Sequence, residues 1–228
     1  MKKNNLILGT FLAITAILFS SCGASSSSDS TSTEKVEGST ESTESSGVVT
    51  IGTQVWTSKN LDVATYRNGD VIPQVQDQNA WANLTTGAWC YYDNDPSNGT
   101  KYGKLYNWYA VSDSRGLAPN GYHIPTDAEW TQLSDYLGGQ NQPGPKMKST
   151  SGWKNNGNGT NSSGFSGLPG GERDCYGAFK YIDGDGRWWS STEYSTAIAW
   201  ARGVGFHGHL DRGEYCMEFG YSVRCLRD

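Results

Sequence analysis

The sequence predicts an α+β fold, and three observations carry that prediction. All nine Trp, all thirteen Tyr and four of the six Phe lie after residue 50, together with 25 of the 29 Gly. Large rings among many glycines, with few Leu, Ile or Met, describe a loop-rich body with an aromatic core. Disorder, a coiled coil and a helical membrane bundle are excluded for that part. Helical spacing is confined to residues 102–137, whereas short β-like runs fill the chain from residue 164 onward. Helices early and strands late read as α+β. Roughly 180 residues without an interior linker read as one domain.

The first residues form an address. Lys2 and Lys3 precede a fourteen-residue apolar run, residues 6–19. As a helix that run reaches about 21 Å at 1.5 Å per residue. A bilayer core is about 30 Å thick, so residues 1–21 read as a signal peptide and not as a span. The run ends in Phe19-Ser20-Ser21-Cys22, which resembles the bacterial lipobox. The resemblance implies that the Cys22 thiol takes a diacylglycerol and becomes the mature N-terminus. The alternative is an ordinary signal peptide with an incidental cysteine. Residues 22–47 then read as a lipidated cysteine followed by a disordered linker. Ser and Thr fill fourteen of the twenty-five positions from 23 to 47, and five acids face one Lys. Such a segment cannot bury enough apolar surface to offset its ordering entropy. Its mean reach is roughly 25–30 Å. Gly23 after Cys22 is compatible with the outer membrane, so the expected location is the bacterial envelope, periplasmic or surface-facing.

The body, residues 48–228, opens with a hairpin, Val48-Val49-Thr50-Ile51 against Gln54-Val55-Trp56, turning at Gly52. Ala88-Trp89-Cys90-Tyr91-Tyr92 reads as a strand ended by Asp93-Asn94-Asp95-Pro96. Leu105, Trp108 and Tyr109 recur near helical spacing and predict a first helix over residues 102–111. The second helix is the best specified: Thr126-x-x-Glu129 is a capping box, and Trp130, Leu133 and Leu137 form its apolar stripe. Gly138-Gly139 ends it. Residues 140–163 are polar and rich in Gly and Asn, hence loop. Beyond them, residues 164–168, 178–182, 187–190, 197–204 and 221–226 read as short strands.

Without Cys22, four cysteines remain, and an even number in an exported chain points to disulfides. Three connectivities are possible. The apparent strands holding Cys90 and Cys225 favour Cys90–Cys225 with Cys175–Cys216.

A series of motifs carries a resemblance. In order they are Ile51-Gly-Thr-Gln-Val-Trp56, Asn60-Leu61, Tyr102-Gly-Lys-Leu-Tyr-Asn-Trp-Tyr109 and Gly121-Tyr-His-Ile-Pro-Thr-Asp-Ala-Glu-Trp130. Gly164-Phe-Ser-Gly-Leu-Pro-Gly-Gly171, Trp188-Trp-Ser-Ser-Thr192 and Ser222-Val-Arg-Cys225 follow. Together they resemble the Fibrobacter succinogenes major paralogous domain over residues 48–228, a family of exported bacterial proteins often carried on lipoproteins. The Pro-Thr-x-Ala-Glu-Trp segment also resembles the formylglycine-generating enzymes. That likeness implies a C-type-lectin-like fold: two helices, small antiparallel sheets and much irregular loop.

Candidate chemistry is thin. The formylglycine-generating enzymes act through a closely spaced cysteine pair handling copper and oxygen, and no CxxxxC pair exists here. Asp93 and Asp95 open a segment like a calcium loop, but Asn98 and Lys104 stand where Gly and Glu are required, so a turn is the plainer reading. His207, His209 and Asp211 alternate and would share one face of a strand, which suits a metal. Gly208 and Asp211-Arg212-Gly213 instead suggest a hairpin near its turn. Asp183-Gly-Asp-Gly186 reads as a tight turn in which Gly184 and Gly186 permit positive φ. Gly203-Val-Gly-Phe-His-Gly208 has the spacing of a phosphate loop but no helix after it. Trp188 and Trp189 should face opposite ways, one into the core and the other outward or under a loop. An exposed ring could stack on a sugar.

The net charge of −5 becomes −3 on the body once the leader's two lysines and the linker's −4 are set aside. Nucleic acid is a poor partner for such a surface. The leading expectation is a lipid-anchored, non-catalytic module that binds glycan or another macromolecule, with the membrane as a partner through its lipid. No cofactor is expected, calcium being the one candidate. The alternatives are an enzyme related to the formylglycine-generating oxidases and a structural envelope component without a soluble ligand.

Overall fold

In the computed structural model, residues 47–139, 141–205 and 208–228 are described. The leader, Cys22, the linker up to residue 46 and His207 lie outside them. No helix among the described residues is long and apolar enough to cross a membrane.

The architecture is α+β, with short helices and small antiparallel sheets. The predicted hairpin forms from β1 (Val48–Ile51) and β2 (Gln54–Thr57). Asp77 caps the short α1 (Gln78–Ala82), accepting the Ala80 N–H. The run around Cys90 yields only β3 (Trp89–Cys90). A 3₁₀ turn over Tyr92–Asn94 follows, and then α2 (Pro96–Tyr102), where a turn alone was expected. Pro96 at the first helical position and Asp95 as its cap are the signals for that helix.

The expected helix over residues 102–111 is not continuous. Gly103 stops α2 at φ +77°, and a Cβ there would stand 3.0 Å from the Leu61 carbonyl oxygen. The chain then pairs as β4 (Leu105–Tyr106) with β3 and makes one turn, α3 (Trp108–Val111), capped by Asn107. Burial on every side overrides the helical spacing: Leu105, Tyr106, Trp108, Ala110 and Val111 are all buried.

β5 (Tyr122–His123) leads into α4 (Asp127–Tyr136), whose Thr126–Glu129 capping box is present. Gly138 and Gly139 both take positive φ after it, as expected. The predicted loop 140–163 contains one short helix, α5 (Pro143–Met147). Next come β6 (Glu172–Arg173), β7 (Phe179–Lys180), β8 (Gly186–Ser195), β9 (Ile198–Val204), β10 (Leu210–Cys216) and β11 (Leu226–Arg227).

β10-β9-β8 form an antiparallel meander, and β1-β2-β11-β5 form a four-stranded sheet. The residues of the expected turn at Asp211-Arg212-Gly213 lie inside β10, paired with Gly203, Arg202 and Ala201. In the turn before β8, the left-handed residues are Tyr181 (φ +63°) and Asp183 (φ +60°), not the glycines. Gly186 is needed for space, because a Cβ would approach the Leu168 carbonyl oxygen to 2.6 Å.

Trp188 and Trp189 do point opposite ways, yet both are fully buried. Trp188 joins a cluster with Trp56, Trp130 and Phe165, whereas Trp189 packs on Tyr221 at 4.6 Å in another. Strand β8 therefore divides two cores, and no outward ring remains at either position.

The segment 220–227 ties these parts together. Gly220 bridges Arg173, Tyr221 bridges Tyr106, Ser222 bridges Trp188, and Leu226 pairs with both Trp56 and His123.

Candidate functional site

A cleft of about 740 Å³ opens between the chain after β2, helix α2 and the loop 164–168. Its floor is built around Asn60. The Asn60 amide donates to the Tyr102 carbonyl at 2.8 Å and to the Ser222 hydroxyl at 3.1 Å. Its oxygen accepts from Trp188 Nε1 at 2.9 Å and from Arg224 Nε at 2.7 Å. Every hydrogen-bonding capacity of this side chain is used.

Arg224 beneath it is fully buried and has no carboxylate partner among the described residues. It donates to the carbonyls of Thr57 at 2.7 Å, Phe165 at 2.8 Å and Ser166 at 3.1 Å, and lies over the Phe165 ring. Burial pulls its pKa down to about 9, the nearby Cys225 opposing this weakly. A planar fork with five donors is what such a set of separated carbonyls requires.

The rim carries the polar groups. Lys59, Lys101, Asp62 and Ser166 line the opening. Asp62 is held by Lys104, whose buried ammonium also donates to the Asp62 carbonyl at 3.0 Å and sits 4.5 Å from the Trp89 ring. Tyr102 donates its phenol proton to Asp183 Oδ1 at 2.7 Å. Burial and then the Asp183 carboxylate push that phenol above its ordinary range. Lys101 hangs over the Tyr102 ring, 3.8 Å from the same Asp183 oxygen. The result is a rigid floor under a rim of cations, one carboxylate and hydroxyls.

The residues singled out by sequence have other places. Asp95 caps α2, accepting the Ser97 N–H at 2.8 Å and the Ser97 hydroxyl at 2.7 Å, while Asp93 belongs to the 3₁₀ turn with φ +53°. Asp211 is exposed on β10, His209 is half-buried just before that strand, and His207 lies outside the described residues. Among the described residues no group of three or more His, Cys, Asp or Glu side chains converges. Glu129 serves the capping box and also meets His123 Nε2 at 2.9 Å, with Asp228 on the other ring nitrogen at 2.8 Å.

All four body cysteines are free thiols, so neither expected bridge is present in this structure. Cys90 and Cys225 are buried in different clusters. Burial pushes each of these thiols up to about 12. Cys175 and Cys216 are neighbours: after burial, the Cys216 thiol is the main cause that pushes Cys175 up to about 11.

Sequence reasoning missed Lys59 and Lys101, because lysines in polar stretches read as solvated surface. Asn60 left a signal, since it belongs to the Asn60-Leu61 motif. Five motifs named above meet at this floor through Asn60, Tyr102, Phe165-Ser166, Trp188 and Ser222 with Arg224. The sequence pattern of the Fibrobacter succinogenes major domain matches residues 49–227. No curated protein and no solved structure matches the chain.

Proposed function

The chain belongs to the Fibrobacter succinogenes major domain family, and from that premise we propose that it is a non-catalytic glycan-binding module held at the cell envelope by a lipid on Cys22. The observation that carries this reading is the cleft over Asn60. Its floor has no spare hydrogen-bonding capacity at Asn60, so it can hold the rim in place without reorganising. Lys59, Lys101, Asp62 and Ser166 offer both donors and acceptors, which suits a hydroxyl-rich polymer. The cleft is open, so it admits a chain passing along it and does not enclose a small molecule. Small sheets, short helices and long loops suit a C-type-lectin-like architecture, an analogy that raises the prior for sugar binding and goes no further.

A glycan array together with isolated cell-wall polymers tests the reading, run with and without chelator and with a Lys59→Ala/Lys101→Ala variant. Binding by the native chain and its loss in the double variant are expected. The chelator arm reports whether calcium takes part. Absence of binding in both conditions overturns the proposal, and full retention by the double variant removes the cleft from it.

A further inference from the structure

The turn 181–186, whose Asp183 accepts the phenol proton of Tyr102, lines a second and smaller cavity of about 200 Å³. Its other walls come from the loop after α5, including Lys148, Trp153, Lys154 and Asn155. Lys148 is 4 % exposed, yet among the described residues its ammonium has one hydrogen bond, to the Gly157 carbonyl at 3.1 Å, and one ring beside it, Trp153 at 4.6 Å. An ammonium has three donors. Among the described residues no carboxylate lies within ion-pairing distance of it.

A buried cation normally carries a partner, because desolvation of an isolated charge is costly. Asp185, the one acid lining the cavity, is already paired with Arg187 at 3.0 Å. Lys154 adds a second cation at the wall. The cavity therefore has an excess of positive charge and unused donors. Burial also holds Lys148 below the ordinary lysine range, with Asp185 only partly opposing that fall. An arriving anion would reverse this. The size is below the roughly 300–1,000 Å³ of drug-sized pockets, which fits one ring and not a chain. Tyr181, 53 % exposed, and Trp153 supply ring surface beside the polar groups.

We infer that this cavity is a binding site for a carboxylate-bearing sugar unit, a uronic acid, with Lys148 as its buried counter-ion. The carboxylate accepts from Lys148 and Lys154, and the sugar ring lies against Tyr181. This site stands whether or not the larger cleft binds glycan.

The test titrates the full chain with glucuronate and galacturonate, with glucose as the neutral comparison, by calorimetry and by NMR. At least tenfold preference for the uronates is expected, with shifts at the Trp153 indole N–H. Lys148→Met, which keeps the packing volume, should lower uronate affinity tenfold or more. Lys154→Gln and Tyr181→Ala, at the wall, should each lower it several-fold and report even if Lys148→Met does not fold. Equal binding of glucose, no binding of either uronate, shifts confined to the Lys101 and Tyr102 side, or unchanged affinity in both wall variants would each overturn the assignment.

Discussion

At the scale of single residues, Arg224 shows how a cation can be kept where no opposite charge answers it. Its guanidinium spans Asn60, Thr57, Phe165 and Ser166, four positions from two separate stretches of chain. Replacing it by lysine keeps a cation and removes the fork, so several buried oxygens lose their donors. Arg224→Lys is expected to cost about 2–4 kcal/mol, read as a lower urea midpoint. An unchanged midpoint would show that charge alone suffices. Lys101 is the contrast. It is half-exposed and its ion pair is long, so Lys101→Ala should change stability by less than about 0.5 kcal/mol while weakening polymer binding. The sequence could not distinguish these two cations, since burial is a property of the closed fold. It did announce the alternation of Trp188 and Trp189, but not that a second core covers the outer face.

At the scale of elements, α4 was legible to its ends because its signals are local: a cap, an apolar stripe and two terminal glycines. The stretch 102–111 was misread because its neighbours in space, not its own spacing, decide its form. Strand β4 pairs with β3, and Tyr106 bridges Tyr221, more than a hundred residues away. The start of α4 also has a pH signature. Burial alone would lower the pKa of His123, but hydrogen bonds to Asp228 and Glu129 outweigh it and raise the value. Burial would raise Glu129, but the Thr126 backbone and hydroxyl and then His123 bring it below its ordinary value. The histidine contribution is complete below its unfolded pKa and drains away as pH rises through the higher folded value. The glutamate contribution is complete above its unfolded pKa and is lost as pH falls through the lower folded value. The two overlap between about pH 4.5 and 6.5. The ring is more than a third exposed, so the expected size is under about 1 kcal/mol. Urea melts of the native chain and His123→Gln should therefore differ more at pH 5.5 than at pH 8.5, and equal differences would contradict the scheme. The cysteines separate at this scale too. In a buffer of oxidised glutathione, thiol–disulfide exchange is expected to join Cys175 at the turn after β6 to Cys216 at the end of β10. Cys90 and Cys225 should stay reduced, and peptide mapping after alkylation reads both outcomes.

At the scale of the whole molecule, composition sets the aromatic body apart from the Ser/Thr-rich stretch before it, because many rings and glycines make different physical demands from a polar segment. The body's class was legible for the same reason. The cleft was not, since its rim is drawn from the chain after β2, from α2 and from the loop 164–168. The proposed lipid on Cys22 makes its own prediction: Cys22→Ala should move the chain from the membrane to the soluble fraction without altering its melting temperature, and a persistent membrane location would remove the lipid from the proposal. The tie formed by residues 220–227 reaches further. Strands β1 and β2 can meet early, but their sheet reaches β5 through Leu226 and Arg227 of β11, and the cleft floor needs Arg224. Long-range closure of this kind is slow, since residues 220–227 must find partners as far back as Trp56, and until they do the strands on either side of them lack a common neighbour.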